Sequence, residues 1–489
     1  MLNPLLALLT AALLISTFPG IDVALFAAVA LAPLLVALAR EARHGRRFLL
    51  GWGAGIVYWF GVCYWIQFVL EVHGGMGTFG SWGAFLLFCL AKAVHLGVFA
   101  LAAGLLMRSW YAVPAVSALW VAIEATHGPL GFAWQTLGNA GIDMSVPMRL
   151  APVTGVYGLS FIFVMMNAAL ALVALRRSRR ELFWLLPLPL LYLLPALPDA
   201  QPGAERAVLV QPNASESEDW TSKSLTEAQE RLAYVSLQAV LNAGKPAPKL
   251  LIWPEVPAPF YFYDDPGFRD RTMDLARLSR TWFLFGTVAH TPAGAPLNSA
   301  VLLGPDGQYA GRYDKIYLVP FGEFVPPFFD FVNRITSEAG DFEPGKELVV
   351  FQADGHRIAS FICYEAVFPH LVRRFAAAGA EVLVNISNDG YFGRSAARDQ
   401  HLTIARMRAA ENRRWILRAT NNGVTTVIDP AGRISERLPS YEQAALVGSY
   451  SYIGERTLYT RFGDWFAWLC ATITIVVLAV SLRPLLSPR

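Results

Sequence analysis

Residues 357–365 read Arg-Ile-Ala-Ser-Phe-Ile-Cys-Tyr-Glu. An apolar run rich in β-formers ends on a cysteine, and a helix is expected to follow from Ala366. A strand that turns sharply into a helix presents a nucleophile at the edge of a sheet. Just upstream, 348–352 and the Asp354-Gly355 pair make 357–362 the second arm of a hairpin. Working outward, 206–211, 249–253, 282–288 and 381–386 also read as buried strands, and 298–303 forms a second hairpin around Pro305-Asp306-Gly307. Segments 225–243, 267–279 and 396–412 read as helices. This alternation over 205–455 predicts a layered α/β sandwich large enough to bury its own core. It contains no internal repeat and no low-complexity linker.

The flanking sequence is different. The whole chain is 55% hydrophobic and only 16% charged, with mean hydropathy +0.40. A soluble enzyme alone is not so apolar, so several membrane spans must accompany the sandwich. Apolar runs predict seven spans in 1–200, near 3–18, 21–39, 49–70, 82–107, 111–127, 152–175 and 182–197, and an eighth at 464–482. The first run lacks a basic leader and is followed almost at once by a second, which favours a retained span over a cleaved signal. Arg40, Arg43, Arg46 and Arg47, then Arg108, then Arg176, Arg177, Arg179 and Arg180, and finally Arg483 and Arg489 occupy alternate connections or the end of the chain. Basic connections stay in the cytoplasm, so both termini lie inside and the sandwich lies outside. The net charge of +3 includes no Lys/Arg block, which sets a nucleic-acid partner aside.

Cys363 is the only cysteine of the predicted outside domain, because Cys63, Cys89 and Cys470 fall in apolar spans. No two cysteines form a CxxC pair, so no zinc ribbon or redox motif is present. A lone thiol is unusual in an oxidising compartment, although a buried structural role is the commoner fate of a free cysteine. A nucleophilic thiol needs a base and an oxyanion partner. The histidines of this domain, His290, His356, His370 and His401, sit in no protease-like context. Glu255 ends a buried strand in Trp253-Pro254-Glu255, and Lys315 sits among apolar and aromatic neighbours in Tyr313-Asp314-Lys315-Ile316-Tyr317. Taken singly, each is a solvated surface charge or a catalytic group. Lys92, His95 and Glu124 lie in or near spans, where a helix-packing contact and a functional role are both open.

Together, Trp253-Pro254-Glu255, Tyr313-Asp314-Lys315 and Ile362-Cys363-Tyr364-Glu365, spaced by about 60 and about 48 residues, resemble the Glu-Lys-Cys triad of the nitrilase (carbon–nitrogen hydrolase) superfamily. The resemblance implies an αββα sandwich. Set between seven apolar spans and one more, such a domain is similar to the apolipoprotein N-acyltransferase family. His73-Gly74-Gly75-Met76, Trp120 with Glu124, and Gly131-Phe132-Ala133-Trp134 fit that family in the membrane part. It also implies substrate-binding or supporting roles for Trp220, Glu323, Tyr364 and Glu365. Two segments, 264–280 and 328–342, match less closely.

The implied reaction is acyl transfer from a phospholipid donor, through a Cys363 thioester, to the α-amine of a diacylated apolipoprotein. The implied location is the bacterial inner membrane, with the catalytic domain on the periplasmic side. No cofactor is required, and no HExxH-like set suggests a metal. The aromatic, proline-rich runs 257–263 and 321–329 read either as lipid-facing loops or as packed core. A membrane-tethered amidase shares the triad, and a lipoprotein-binding scaffold shares the fold. The lipid-sized apolar loops disfavour the first and the intact Glu255, Lys315 and Cys363 disfavour the second. Reporter fusions at Arg46 and Arg179 are expected to read cytoplasmic and one near Gly244 outside; a cytoplasmic signal at Gly244 inverts the topology.

Overall fold

A computed structural model describes residues 2–130, 132–215, 220–320, 322–324 and 342–486, with side chains described as far as Leu482. Two compact units make up the chain. One is helical and comprises Met1–Glu71, Gly77–Leu197 and Phe462–Arg489; the other comprises Val72–Met76 and Pro198–Arg461.

In the helical unit, α1 is Leu2–Thr17, α2 Ala32–Arg40, α3 His44–Val62, α4 Trp65–Val72, α5 Gly77–Leu106, α6 Ala112–Glu124, α7 the single turn Ala151–Thr154, and α8 Val156–Ala174. Gly51 and Gly55 bring α3 against α5: a Cβ on Gly51 would collide with Ala100 and Leu96, and one on Gly55 would lie 2.9 Å from the Ala93 Cα. Small residues permit such close packing where water supplies no driving force between helices. Asn167 of α8 is buried with its amide fully used. Its Oδ1 accepts from the Leu31 and Ala32 amides at 2.6 and 3.0 Å, and its Nδ2 donates to the Ala27 and Phe163 carbonyls at 2.7 and 2.8 Å. It thereby caps the start of α2. Lys92 donates to the Phe132 carbonyl at 2.8 Å, and Glu124 accepts from the Leu137 amide at 2.7 Å and from Trp120 Nε1 at 3.1 Å. These contacts tie loops to helices and favour the packing reading of both side chains.

Gly77–Leu106, Val156–Ala174 and Trp465–Leu482 are long and apolar enough to cross a membrane, and α3 with α4 makes a fourth span if the 61° bent pair is counted as one. Leu2–Thr17, Ala24–Arg40 and Ala112–Glu124 are shorter apolar helices. The span expected at 182–197 is not α-helical: it consists of the 3₁₀ segments Arg179–Leu185 and Leu188–Leu193. Pro187, Pro189 and Pro195 remove amide donors and clash with the preceding turn, which prevents a continuous helix. Arg47, read as part of a basic connection, lies buried in the first turn of α3, its guanidinium donating to the Glu41 carbonyl at 2.9 Å.

The second unit is an αββα sandwich. Its strands are β1 Glu205–Gln211, β2 Leu250–Ile252, β3 Trp282–His290, β4 Pro296–Leu303, β5 Tyr309–Asp314, β6 Phe351–Ala353, β7 His356–Ile362, β8 Val382–Ser387, β9 Ile416–Thr420, β10 Thr426–Ile428, β11 Ile434–Arg437 and β12 Ala444–Tyr450. They form two six-stranded sheets, ordered β12-β1-β2-β3-β4-β5 and β11-β10-β9-β8-β7-β6. The middle strands, β1-β2-β3 and β7-β8-β9, run parallel. Helices α9 (Ser222–Asn242) and α10 (Pro266–Ser279) cover the first sheet, their Leu232, Phe268 and Leu275 packing on Val208, Leu251, Phe283 and Val301. Helices α11 (Pro369–Ala377) and α12 (Ala397–Asn412) pack together beside the second. With both faces covered, β2 and β8 are buried throughout and β1 from Ala207 onward, rather than in alternation.

The helix expected from Ala366 begins only at Pro369, because Cys363–Val367 first makes a 3₁₀ turn. Strands β9 to β12 had no counterpart in the sequence reading. Arg418 and the polar 420–426 stretch interrupt the apolar pattern there. Even so, β12 returns to pair with all of β1, from Glu205↔Tyr450 to Gln211↔Ala444.

Gly286 of β3 faces the end of β2, where an added Cβ would lie 2.7 Å from the Glu255 Cα and the Val256 nitrogen and 2.8 Å from the Pro254 oxygen. Those are main-chain atoms and cannot rotate away. Gly286→Ala is therefore expected to lower stability by about 1–3 kcal/mol and to shift Glu255, measurable as a lower Tm together with reduced activity; a Tm and activity equal to the parent protein's would refute the contact.

Candidate active site

Strand β2 delivers Trp253-Pro254-Glu255, β5 runs directly into Lys315, and β7 ends at Cys363. In parallel α/β sheets the carboxyl ends of strands form the crevice where ligands bind, and β2 and β7 obey that rule. Trp253 Nε1 donates to Ser236 Oγ at 2.9 Å and fixes the end of β2 on α9. Lys315 is tied to β4 by its amide, which donates to the Asn298 carbonyl at 2.8 Å.

The Lys315 ammonium is 1% exposed. Its Nζ donates to Glu255 Oε1 at 3.1 Å and to Glu323 Oε1 at 2.8 Å. Asn298 Nδ2 reaches the same two oxygens, at 2.8 and 2.6 Å. The outer oxygens are also held: Glu255 Oε2 accepts from the Asn388 amide at 2.9 Å, and Glu323 Oε2 from the Val319 amide at 2.8 Å. Burial disfavours the ammonium, but Glu255 and then Glu323 outweigh it and hold Lys315 well above the usual lysine range. A buried charge bereft of one partner costs about 3–5 kcal/mol, so the cluster persists only as a whole.

Cys363 is buried and takes φ +49°. A non-glycine residue in the left-handed region costs about 1–2 kcal/mol, and the surroundings must enforce it. Glu365 does part of this work. It is fully buried, and its Oε2 accepts from the Ile362 amide at 2.7 Å. Its Oε1 accepts from Tyr313 Oη at 2.7 Å, the Ile316 amide at 2.7 Å and the Tyr317 amide at 3.2 Å. One carboxyl thus fastens the cysteine turn to the segment carrying Lys315. Burial pushes that carboxyl up to about 7, against the hydrogen bonds that favour its charge. The Cys363 thiol is also pushed up, first by burial and then by the Glu255 charge, while Lys315 and a hydrogen bond with Ser387 act in the opposite sense. A proton acceptor is therefore needed to generate a thiolate near neutral pH.

The structure joins Lys315 to Glu255 and to Glu323 by direct hydrogen bonds and places Cys363 within electrostatic reach of Glu255 and Lys315. Tyr364 is buried, its ring edge-on to Phe368 at 5.2 Å. Trp220 packs, half-buried, on the apolar cluster that includes Trp253 and Phe260. The aromatic run after Glu255 is largely core: Phe260 and Phe262 are buried, and Thr287 Oγ1 clips them to β3, accepting from the Phe262 amide at 3.0 Å and donating to the Phe260 carbonyl at 2.9 Å. Only Tyr261 of that run is well exposed, which corrects its reading as a lipid-facing loop. Phe321, Val325, Pro326, Pro327, Phe328 and Phe329 lie outside the described residues, as do Glu218 and Asp219. Sequence reasoning missed Asn298, a strand residue with no motif around it. It also passed over Asp389 and Arg418 and set His401 aside, three residues that cluster behind Cys363; His401 stands 38 residues from Cys363 in the chain and carries no local motif. Among the described residues, no group of three or more His, Cys, Asp or Glu could hold a metal ion.

Known proteins divide the chain in the same order. The family described as "Carbon-nitrogen hydrolase" matches residues 209–449, and that described as "Apolipoprotein N-acyltransferase N-terminal domain" matches residues 10–169. An apolipoprotein N-acyltransferase of Geobacter metallireducens is 35% identical over 98% of this chain and 95% of its own length. The chain belongs to the apolipoprotein N-acyltransferase family. A second such enzyme, from Methylococcus capsulatus, is 32% identical over 97% of this chain and 95% of its own. An amidase from Nesterenkonia sp. superposes on 55% of this chain and 97% of its own, at 18% identity and TM-score 0.41. Full-length kinship with acyltransferases makes the chain an apolipoprotein N-acyltransferase of the nitrilase superfamily and a membrane protein. It sets aside the tethered-amidase and scaffold readings.

The Lys315 charge lowers the affinity of the Cys363 thiol for its proton, so Lys315→Met is expected to slow alkylation of Cys363 by iodoacetamide. Peptide mass spectrometry across about pH 6–10 reads the rate; a faster Lys315→Met would contradict the electrostatic assignment.

Proposed function

We propose that the acyl chain comes from a phospholipid and passes through a thioester on Cys363 to the α-amine of the diacylglyceryl-cysteine of an apolipoprotein. The observation that carries this reading is Lys315 held between Glu255 and Glu323 beside the Cys363 thiol. Glu255 accepts the thiol proton as sulfur attacks the ester carbonyl, and the tetrahedral oxyanion faces the Lys315 ammonium. Collapse breaks the ester C–O bond, and the lysophospholipid alkoxide leaves with the proton held by Glu255. The apolipoprotein amine then attacks the thioester and passes its proton to Glu255. The second collapse releases the amide and returns the thiol. Glu323 suits this cycle because it keeps one negative partner on Lys315 while Glu255 is protonated. Tyr364, Glu365 and Trp220 support the site rather than exchange protons.

The membrane arrangement follows the same reading. The three shorter apolar helices, the bent pair and the proline-broken 179–197 segment join the three long helices in an eight-span platform. The basic connections set both termini in the cytoplasm and the sandwich, bounded near 205 and 455, on the periplasmic side of the inner membrane, where exported lipoproteins are met.

Incubation with acyl-labelled phospholipid followed by a diacylated lipopeptide separates the half-reactions. Cys363→Ala is expected to carry no label and form no product. Lys315→Met keeps the chain length but not the charge, and is expected to slow both labelling and release by about 10²–10³-fold. Normal turnover by Cys363→Ala, or wild-type rates in both steps for Lys315→Met, would exclude the mechanism.

A further inference from the structure

Among the buried polar residues that this mechanism leaves unused, three cluster beside Cys363. Asp389 follows β8, His401 lies in α12 and Arg418 lies in β9, and all three are buried. His401 Nε2 lies 3.0 Å from the Cys363 carbonyl oxygen. A carbonyl only accepts, so the imidazole proton sits on Nε2. The other ring nitrogen, Nδ1, lies 3.2 Å from Arg418 Nη2 and 3.2 Å from Asp389 Oδ1. Burial, and then the Arg418 charge, hold His401 below the usual histidine range, so the ring is neutral and Nδ1 accepts from the guanidinium.

Arg418 in turn donates to both Asp389 oxygens, at 2.9 and 2.7 Å, and its other terminal nitrogen bonds Asn385 of β8. Ser387 Oγ donates to Asp389 Oδ1 at 2.8 Å. Burial alone would raise the Asp389 carboxyl, but the Arg418 guanidinium holds it below the usual carboxylate range, so it stays charged and keeps its partner. The cluster reaches the reacting groups in two ways. It grips the carbonyl of Cys363, the residue whose φ is positive. It also anchors the 387–389 turn, where Ser387 meets the Cys363 thiol and the Asn388 amide donates to Glu255. Gly423 packs so closely on Asp389 that no side chain fits between them.

We propose that His401, oriented by Asp389 and Arg418, is a positioning residue that locks Cys363 in its left-handed conformation through the Nε2–H bond to the Cys363 carbonyl and so aims the thiol at Glu255. The inference rests on Cys363 being the nucleophile. A role confined to core packing would affect stability, whereas a positioning role affects the chemical step and returns when the donated hydrogen bond is restored.

The test uses full-length protein in phospholipid vesicles, with His401→Leu, His401→Gln, Asp389→Asn and Cys363→Ala compared. Glutamine can offer a side-chain N–H to the same carbonyl and leucine cannot. His401→Leu is expected to lower kcat and the rate of Cys363 alkylation by about 10²-fold, with KM for phospholipid unchanged within about twofold. His401→Gln should recover most of both losses, and Asp389→Asn should show a smaller loss of the same kind. Should His401→Leu fail to fold, the other two variants decide. His401→Gln must then outperform Asp389→Asn in kcat and in alkylation at equal KM. Wild-type kcat in His401→Leu, no rescue by glutamine, or a loss seen in KM alone overturns the proposal. Activity retained by Cys363→Ala would instead overturn the thioester reading on which it rests.

Discussion

The ammonium of Lys315, shut away from water between two carboxylates, is the contact on which the rest of the sandwich unit turns. A lone buried cation is costly enough to be neutralised or expelled. Here Glu255 and Glu323 compensate it, and each is in turn compensated by a backbone amide and by Asn298. Four segments must therefore arrive together: the end of β2, the body of β4, the exit from β5 and the turn after β8. The two sheets converge on a charge balance as well as on an apolar core. The cluster thus holds two carboxylates around one ammonium.

A second constraint is conformational. Cys363 must leave β7 through a left-handed residue, and no glycine is there to make that easy. The strain is confined by hydrogen bonds on both sides of the residue. Glu365 gathers the amides of Ile362, Ile316 and Tyr317, and His401 grips the Cys363 carbonyl. The same bonds that hold the turn also place it beside Lys315, so strain and alignment have one cause. The thiol's raised proton affinity is the consequence of such burial, to which the Glu255 charge adds.

The helical unit follows a different logic. Its helices approach through glycine and alanine, as between α3 and α5, and its few buried polar groups are spent on capping and on loop carbonyls. Asn167 satisfies four backbone groups. Prolines at 187, 189 and 195 convert an apolar stretch into 3₁₀ turns. Apolarity alone therefore overstates how many stretches are regular helices, since hydropathy does not register a missing amide proton.

Periodicity and local turn chemistry alone located β1, β3, β4, β7, β8 and the helices α9, α10 and α12, because each carries its hydrophobic pattern within a single short window. The order and spacing of Glu255, Lys315 and Cys363 marked three positions that each close or follow a buried strand, and the structure brings Glu255 and Lys315 into direct contact. The tertiary structure decided what depends on distant segments meeting. Strands β9 to β12 owe their place to pairing with β8 and β1 rather than to their own pattern. Phe260 and Phe262 are core because Thr287 and α10 receive them, although their sequence reads equally well as a lipid-facing loop. Asn298, Asp389, His401 and Arg418 carry no local signature. Their roles arise only where a strand residue, a turn, a helix and another strand bring complementary donors and acceptors within about 3 Å, a condition that folding alone imposes.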